Sequence, residues 1–180
     1  MYITLILVFV FLMLDQGTKY LVEKFVSTNE KVEAIPNFLT ITKVYNKGAA
    51  WSMLNDMTWL LVLISSVASV VFLYFLLKSD WKKAKWRSLS IVFCFCGCFG
   101  NLIDRAISIS PLSSARPGVI DMIDFKPFDY FIQLFSKDSS FPIFNLADTM
   151  LITGVIMLAI DVIFLEDWRK KKDAKPKILD

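Results

Sequence analysis

Four stretches of the chain are apolar for long enough to cross a bilayer: residues 1–22, 58–77, 88–106 and 142–165. Each is close to the ~20 residues that a helix needs to span about 30 Å of hydrocarbon. Between them the pattern changes. Phe38 to Tyr45 alternates apolar and polar positions, the period of a strand, and Asn46-Lys47-Gly48 follows as a turn. Trp51, Met53, Leu54, Met57 and Trp59 suggest a short amphipathic helix lying at the interface. Residues 107–141, with Pro111, Pro117, Pro127 and several serines, read as loop, and a long loop in a compact domain is often functional. The expected fold is an all-α integral membrane protein, one domain over residues 1–180, with four transmembrane helices, a small extracytoplasmic β-element and a short interfacial helix.

Composition agrees. A hydrophobic share of 56% and a mean hydropathy of +0.55 exclude an ordinary soluble domain, where roughly 45–50% is typical. The net charge of +3 matters through its distribution. Lys78, Lys82, Lys83, Lys85 and Arg87 crowd the short connection 78–87, and Arg169, Lys170, Lys171, Lys172, Lys175 and Lys177 crowd the tail 166–180. The remaining basic residues are spread thinly, so the positive-inside rule puts both termini and 78–87 in the cytoplasm, and 23–57 and 107–141 outside. Juxtamembrane lysines of this kind set topology or meet anionic lipid; no nucleic-acid partner is expected. The first span lacks a basic leading region and a small-x-small cleavage site, and reads as a retained helix.

Chemistry enters with depth. Counting ~1.5 Å per residue places Asp15 roughly 21 Å along the first span, and Asn101 and Asp104 about 20 and 24 Å along the third. The fourth span runs the other way, and entry at Pro142 puts Asp148 about 9 Å below the outer surface. Asn101, Asp104 and Arg105 share a helix face, as do Asn145 and Asp148. One such face is a polar clasp; three at one level, with Asp121 and Asp124 in the segment outside, suggest a site. An ionisable residue inside a span is a functional hypothesis by default, and two carboxylates are the minimum equipment for aspartic-type peptide hydrolysis. Spacing leaves both Asp121 and Asp124 open as the partner of Asp148. Asp15 and Lys19, four apart, either pair on a helix surface or support the site. Ser65, Ser66 and Ser69 fit helix packing, and Asp161, beside Glu166 and Asp167, reads as interfacial at the cytoplasmic end. Cys94, Cys96 and Cys98, with no histidine in the chain, read as small apolar residues at a helix contact; no metal and no cofactor are expected. The alternative is a small proton-coupled transporter or channel. Transporters hold their sites near the midplane between repeats, whereas these acids sit at the rim and no repeat is visible.

Five ordered motifs carry a resemblance over nearly the whole chain. They are Asp15-Gln16-Gly17-Thr18-Lys19, Asn46-Lys47-Gly48-Ala49-Ala50-Trp51, Gly100-Asn101-Leu102-Ile103-Asp104-Arg105, Gly118-Val119-Ile120-Asp121 and Phe144-Asn145-Leu146-Ala147-Asp148. In these the chain resembles the lipoprotein signal peptidases, or signal peptidase II. The resemblance implies four transmembrane helices with an outer β-cradle, in a bacterial inner membrane. It implies cleavage of diacylglyceryl-modified prolipoproteins just before the lipidated cysteine, blocked by globomycin. It selects Asp121 and Asp148 as the catalytic pair. It implies that Asn46, Gly48, Asn101, Arg105 and Asn145 hold substrate or shape the pocket, and that Asp15, Lys19 and Asp104 support it. The chain departs from the family pattern at Ile107–Pro117 and 125–141, which look expanded, and at Met122, where an aromatic is common; these bear on the outer loop and substrate preference.

Overall fold

The computed structural model describes residues 2–48, 57–111, 116–136 and 139–166. Four long apolar helices carry the fold: α1 (Tyr2–Phe25), α2 (Thr58–Leu77), α3 (Lys85–Ser108) and α5 (Leu146–Ile160), the last continued by a π-helical turn, Asp161–Leu165. A three-stranded antiparallel sheet of β1 (Lys31–Ile35), β2 (Leu39–Asn46) and β3 (Val119–Phe125), in the order β1-β2-β3, lies beside them. A two-turn helix, α4 (Lys126–Gln133), follows β3 directly.

Helix α3 is the hub, packed against α1, α2 and α5. It is the one long helix that is mostly buried, and its small residues explain how. A Cβ on Gly97 would lie 2.6 Å from the Ala147 carbonyl oxygen, and one on Gly154 would lie 2.7 Å from the Cys94 amide nitrogen. These glycines let α3 and α5 approach to backbone contact, the usual device where no hydrophobic force separates helix from lipid. Cys94, beside Gly154, lies buried in that seam, and Cys96 and Cys98 are buried elsewhere on α3, Cys96 against the Val8 carbonyl of α1, as small apolar residues should be. On the far faces, Phe9, Val70 and Ile163 are each about two-thirds exposed and have lipid as their natural solvent.

Three sequence expectations are corrected. The last helix begins at Leu146, not Pro142, because Phe144 is drawn into a β-bridge with Ile123 and Asn145 caps the helix. Asp148 therefore occupies the first helical turn. The segment 107–141 is not plain loop, since it supplies β3 and α4. The alternation of β3 was masked by Asp121 and Asp124 three residues apart, which puts them on opposite faces of one strand. Asp161 is not interfacial but fully buried, bonded by Arg87 at 2.6 Å. The amphipathic helix expected from Trp51 onward falls mostly on 49–56, outside the described residues; Met57 precedes α2 and Trp59 lies within it.

Candidate active site

The site forms where β3 meets the start of α5. The amides of Met122 and Ile123 both donate to the Phe144 carbonyl, at 3.0 and 2.8 Å, and the Phe144 amide donates back to Ile123 at 3.1 Å. The chain thus runs along the free edge of β3 immediately before entering the bilayer helix. Asn145 then caps α5: its side-chain oxygen accepts from the Asp148 amide at 2.9 Å, and Asp148 Oδ2 accepts from the Asn145 amide at 3.1 Å. That reciprocal cap satisfies two helix-end donors and fixes the Asp148 carboxylate. A register shift between Ile41 and Val44 on β2 lies opposite the Asp121 region of β3. Bulges of this kind re-aim side chains next to functional sites.

Amide donors join the two carboxylates. Asn145 Nδ2 donates to Asp121 Oδ1 at 2.7 Å, and Asn46 Nδ2 donates to Asp121 Oδ2 at 2.9 Å. Asn101 Nδ2 donates to Asp148 Oδ1 at 2.7 Å, while Asn101 Oδ1 accepts from Asn145 Nδ2 at 3.1 Å. Asp121 and Asp148 both line one cavity of about 230 Å³, together with Asn46, Arg105, Pro142 and Leu151 among others. No Lys or Arg forms an ion pair with either carboxylate among the described residues. Burial first, and the neighbouring Asp148 second, push the Asp121 carboxyl up to about 7, against the lowering effect of its two asparagine donors.

Behind this pair lies a dry ionic network. Lys19 Nζ contacts Asp15 Oδ2 at 2.9 Å, Asp104 Oδ2 at 2.8 Å and Asn101 Oδ1 at 3.0 Å, with all three charged side chains fully buried. The Asp15–Lys19 pair is thus no surface pair. Asp15 also accepts from the Ala147 amide at 3.0 Å, a free donor of the α5 start. Room for it exists because residue 100 is glycine: a Cβ there would lie 2.6 Å from Asp15 Oδ2.

Asp121 and Asp124 separate cleanly. Asp124 pairs with Lys126 at 2.8 Å and is absent from the cavity lining, so only Asp121 faces Asp148. The amides of Asn46, Asn101 and Asn145 are all committed to the carboxylates, and Asn46 Oδ1 also accepts from Gly48 at 2.9 Å. Arg105 also lines the cavity and is bonded to neither carboxylate; one of its nitrogens donates to Ser65 Oγ at 2.8 Å. Ser65 is therefore a hydrogen-bond partner as well as a packing residue. Arg116 was missed by sequence reasoning. It bonds Asp104 Oδ1 at 2.7 Å and Glu23 as well, tying the outer segment to α1 and α3. An arginine on the side where basic residues are thin was the signal available.

The sequence model of the signal peptidase (SPase) II family matches residues 7–164. The chain belongs to that family. It is 37% identical over 159 residues to the lipoprotein signal peptidase of Enterococcus faecalis, covering 88% of this chain and 86% of that one. It is 34% identical over 175 residues to that of Staphylococcus aureus, covering 97% and 95%. Two solved bacterial membrane enzymes share the fold. One, at 2.3 Å resolution, has a TM-score of 0.73 and 30% identity over 98% of this chain and 96% of that one. The other, at 1.9 Å, has a TM-score of 0.70 and 29% identity over 91% and 94%. As a signal peptidase II the chain is a multi-pass membrane hydrolase of the aspartic peptidase type, from a family that removes signal peptides from prolipoproteins.

Proposed function

We propose that this signal peptidase II cuts diacylglyceryl-modified prolipoproteins just before the lipidated cysteine, with Asp121 and Asp148 as the catalytic pair. The observation that carries this is the shared cavity in which both carboxylates are held by amide donors, with no ion pair to either among the described residues. Amides supply hydrogen bonds but no neutralising charge. Two such carboxylates cannot both ionise cheaply, so a single proton serves the pair.

Asp148 sits in the first turn of α5, where the helix dipole favours an anion. It takes a proton from a bound water whose oxygen bonds to the scissile carbonyl carbon. Asp121 gives its proton to the carbonyl oxygen, leaving a gem-diol. Asp148 then protonates the amide nitrogen as the C–N bond breaks, and Asp121 takes a hydroxyl proton back. The products are a carboxylic acid and the free amine of the lipidated cysteine, with the pair restored to its starting state. Arg105, which lines the cavity and has N–H groups beyond the one given to Ser65, holds a substrate backbone carbonyl.

Both termini are assigned to the cytoplasm and the site to the extracytoplasmic face. The basic cluster from Lys78 to Arg87 supports this, because it lies at the end of the bundle away from the sheet. A site at the outer rim keeps the acyl chains of the substrate at the depth of the lipid tails while the peptide bond reaches the carboxylates. The test is cleavage of a synthetic diacylglyceryl prolipoprotein peptide by the full chain, with and without globomycin. Globomycin-sensitive cleavage on the N-terminal side of the lipidated cysteine is expected, and absence of cleavage would overturn the assignment.

A further inference from the structure

A second cavity, of about 360 Å³, lies against the first and shares Phe141, Phe144 and Ile152 with it. Its remaining walls are Phe125, Phe128, Thr149 and Thr153. The four phenylalanines form one continuous aromatic surface: Phe128 lies 4.8 Å from Phe125, 4.7 Å from Phe141 and 6.2 Å from Phe144, centroid to centroid. Phe128 belongs to α4, in the segment 125–141 that departs from the family pattern. Asp129 anchors that helix over the cavity by accepting from the Phe141 amide at 2.7 Å and pairing with Lys126 at 3.3 Å.

We propose that this cavity binds a fatty acyl chain of the substrate's diacylglyceryl group, with α4 as its lid. The inference rests on the proposed peptidase function and adds a specificity determinant to it. Three observations select an acyl chain. The lining carries no charged residue and only two hydroxyls, so a peptide entering it would leave backbone groups unpaired, whereas a hydrocarbon has none to satisfy. Ile152 and Thr153 lie four and five residues beyond Asp148 on α5, so the cavity runs about 6–8 Å deeper into the bilayer than the carboxylates. That is the direction in which a chain on the lipidated cysteine must trail. Finally, α4 and the turn that follows it hold Phe131, Leu134 and Phe135 outward at 62, 77 and 80% exposure. Such a face belongs in lipid, which places the cavity mouth at the acyl-chain layer.

The experiment uses the full chain in lipid nanodiscs and a diacylglyceryl prolipoprotein peptide with a diazirine near the end of one acyl chain. Photolabel is expected on Phe128, Phe141 or Thr153, at least severalfold above the label from a nanodisc phospholipid carrying the same diazirine. Label elsewhere, or equal labelling by the phospholipid, would overturn the proposal. This readout needs binding and not turnover, so it decides the inference even if no cleavage occurs; loss of all cleavage counts against the peptidase reading instead. A kinetic arm compares dipalmitoyl with dioctanoyl substrates. Thr153→Phe, which fills the cavity, is expected to lower the ratio of their kcat/KM values roughly tenfold. An unchanged ratio in a Thr153→Phe enzyme that still cleaves would also count against it.

Discussion

Helix α5 has an aspartate at each end, half-buried Asp148 and fully buried Asp161, and the two are treated in opposite ways. Asp161, fully buried, is bonded by Arg87 at 2.6 Å, and the same guanidinium reaches Glu166 at 2.7 Å. Asp148, about 20 Å away along the helix, receives only an asparagine amide and a backbone N–H, and faces a second carboxylate across a cavity. A cation beside a buried carboxylate removes its charge from the problem and leaves a structural clasp. Amide donors fix the geometry and leave the charge, so a proton on the pair, with Arg105 at the cavity wall, is left to relieve it. The protein uses cations freely elsewhere: Lys19 and Arg116 neutralise Asp15 and Asp104 within the same bundle end. At Asp121 and Asp148, by contrast, no described lysine or arginine comes within ion-pair distance, and Arg105 reaches only the wall of their shared cavity.

The largest effect that would break this contrast is loss of chemistry. Asp121→Asn and Asp148→Asn keep the side-chain shape and remove the shared proton. Each is expected to lower kcat/KM for a diacylglyceryl prolipoprotein peptide by at least about 10³-fold while the purified protein still melts cooperatively. Cleavage within tenfold of the parent rate in either variant would return the pair to the structural class that Asp161 occupies.

Next comes the ion cluster that stands behind the site without entering the cavity. Lys19→Met leaves Asp15 and Asp104 facing each other with a neutral group between them. Breaking a fully buried pair from one side costs about 3–5 kcal/mol, so a large fall in melting temperature is expected. Because Lys19 also bonds Asn101 Oδ1, the residue that presents its amide to Asp148, activity in the surviving folded fraction should fall too. A variant that melts like the parent would mean that the cluster contributes little.

These contrasts were only partly legible in the chain. The four spans, strand β2 and the gathering of acids at one level followed from periodicity and from depth along a helix. The start of α5 did not, because Phe-Pro-Ile-Phe is as apolar as the span that follows. Only the bridge from Phe144 to Ile123 shows it to be strand edge. Asp121 and Asp124 were equivalent by spacing and were parted by the family motif; strand geometry turns one toward α5 and the other toward Lys126. The burial of Asp161 leaves no local pattern, because its partner, Arg87, lies 74 residues away and reads as a topogenic charge. The role of Arg116 was hidden for the same reason, since long-range pairing leaves no local pattern.

A smaller effect follows from pH. Asp121 is raised from 3.8 to about 7 in the folded protein. Between those values the folded state holds a proton that the unfolded state has released, so stability contributed by that proton is fully present below about pH 4 and is lost as pH rises through about 7. Asp121→Asn abolishes this dependence. The melting temperature of the variant relative to the parent should therefore climb between pH 5 and pH 8, by the equivalent of about 2–3 kcal/mol. Cleavage by the parent should decline above about pH 7 as the shared proton is lost. A flat difference in melting temperature across that range would show that Asp121 is already ionised at pH 5.

The smallest effect on cleavage is the control at the opposite end of the helix. Arg87→Leu removes this cation from Asp161; the carboxylate is fully buried, so the fold should lose stability, though by less than the ~3–5 kcal/mol of a fully buried pair because the arginine side chain is 34% exposed. Trp86 still donates to the Met157 carbonyl at 2.9 Å and holds the start of α3 against α5, so the bundle end should stay closed. Cleavage kinetics and their pH profile should match the parent, because nothing in the Arg87 clasp touches the cavity. If instead Arg87→Leu moved the pH profile, the two ends of α5 would be electrostatically coupled across the bilayer. The division between a neutralised clasp and a proton-sharing pair would then have to be replaced by a single charge network running the length of the helix.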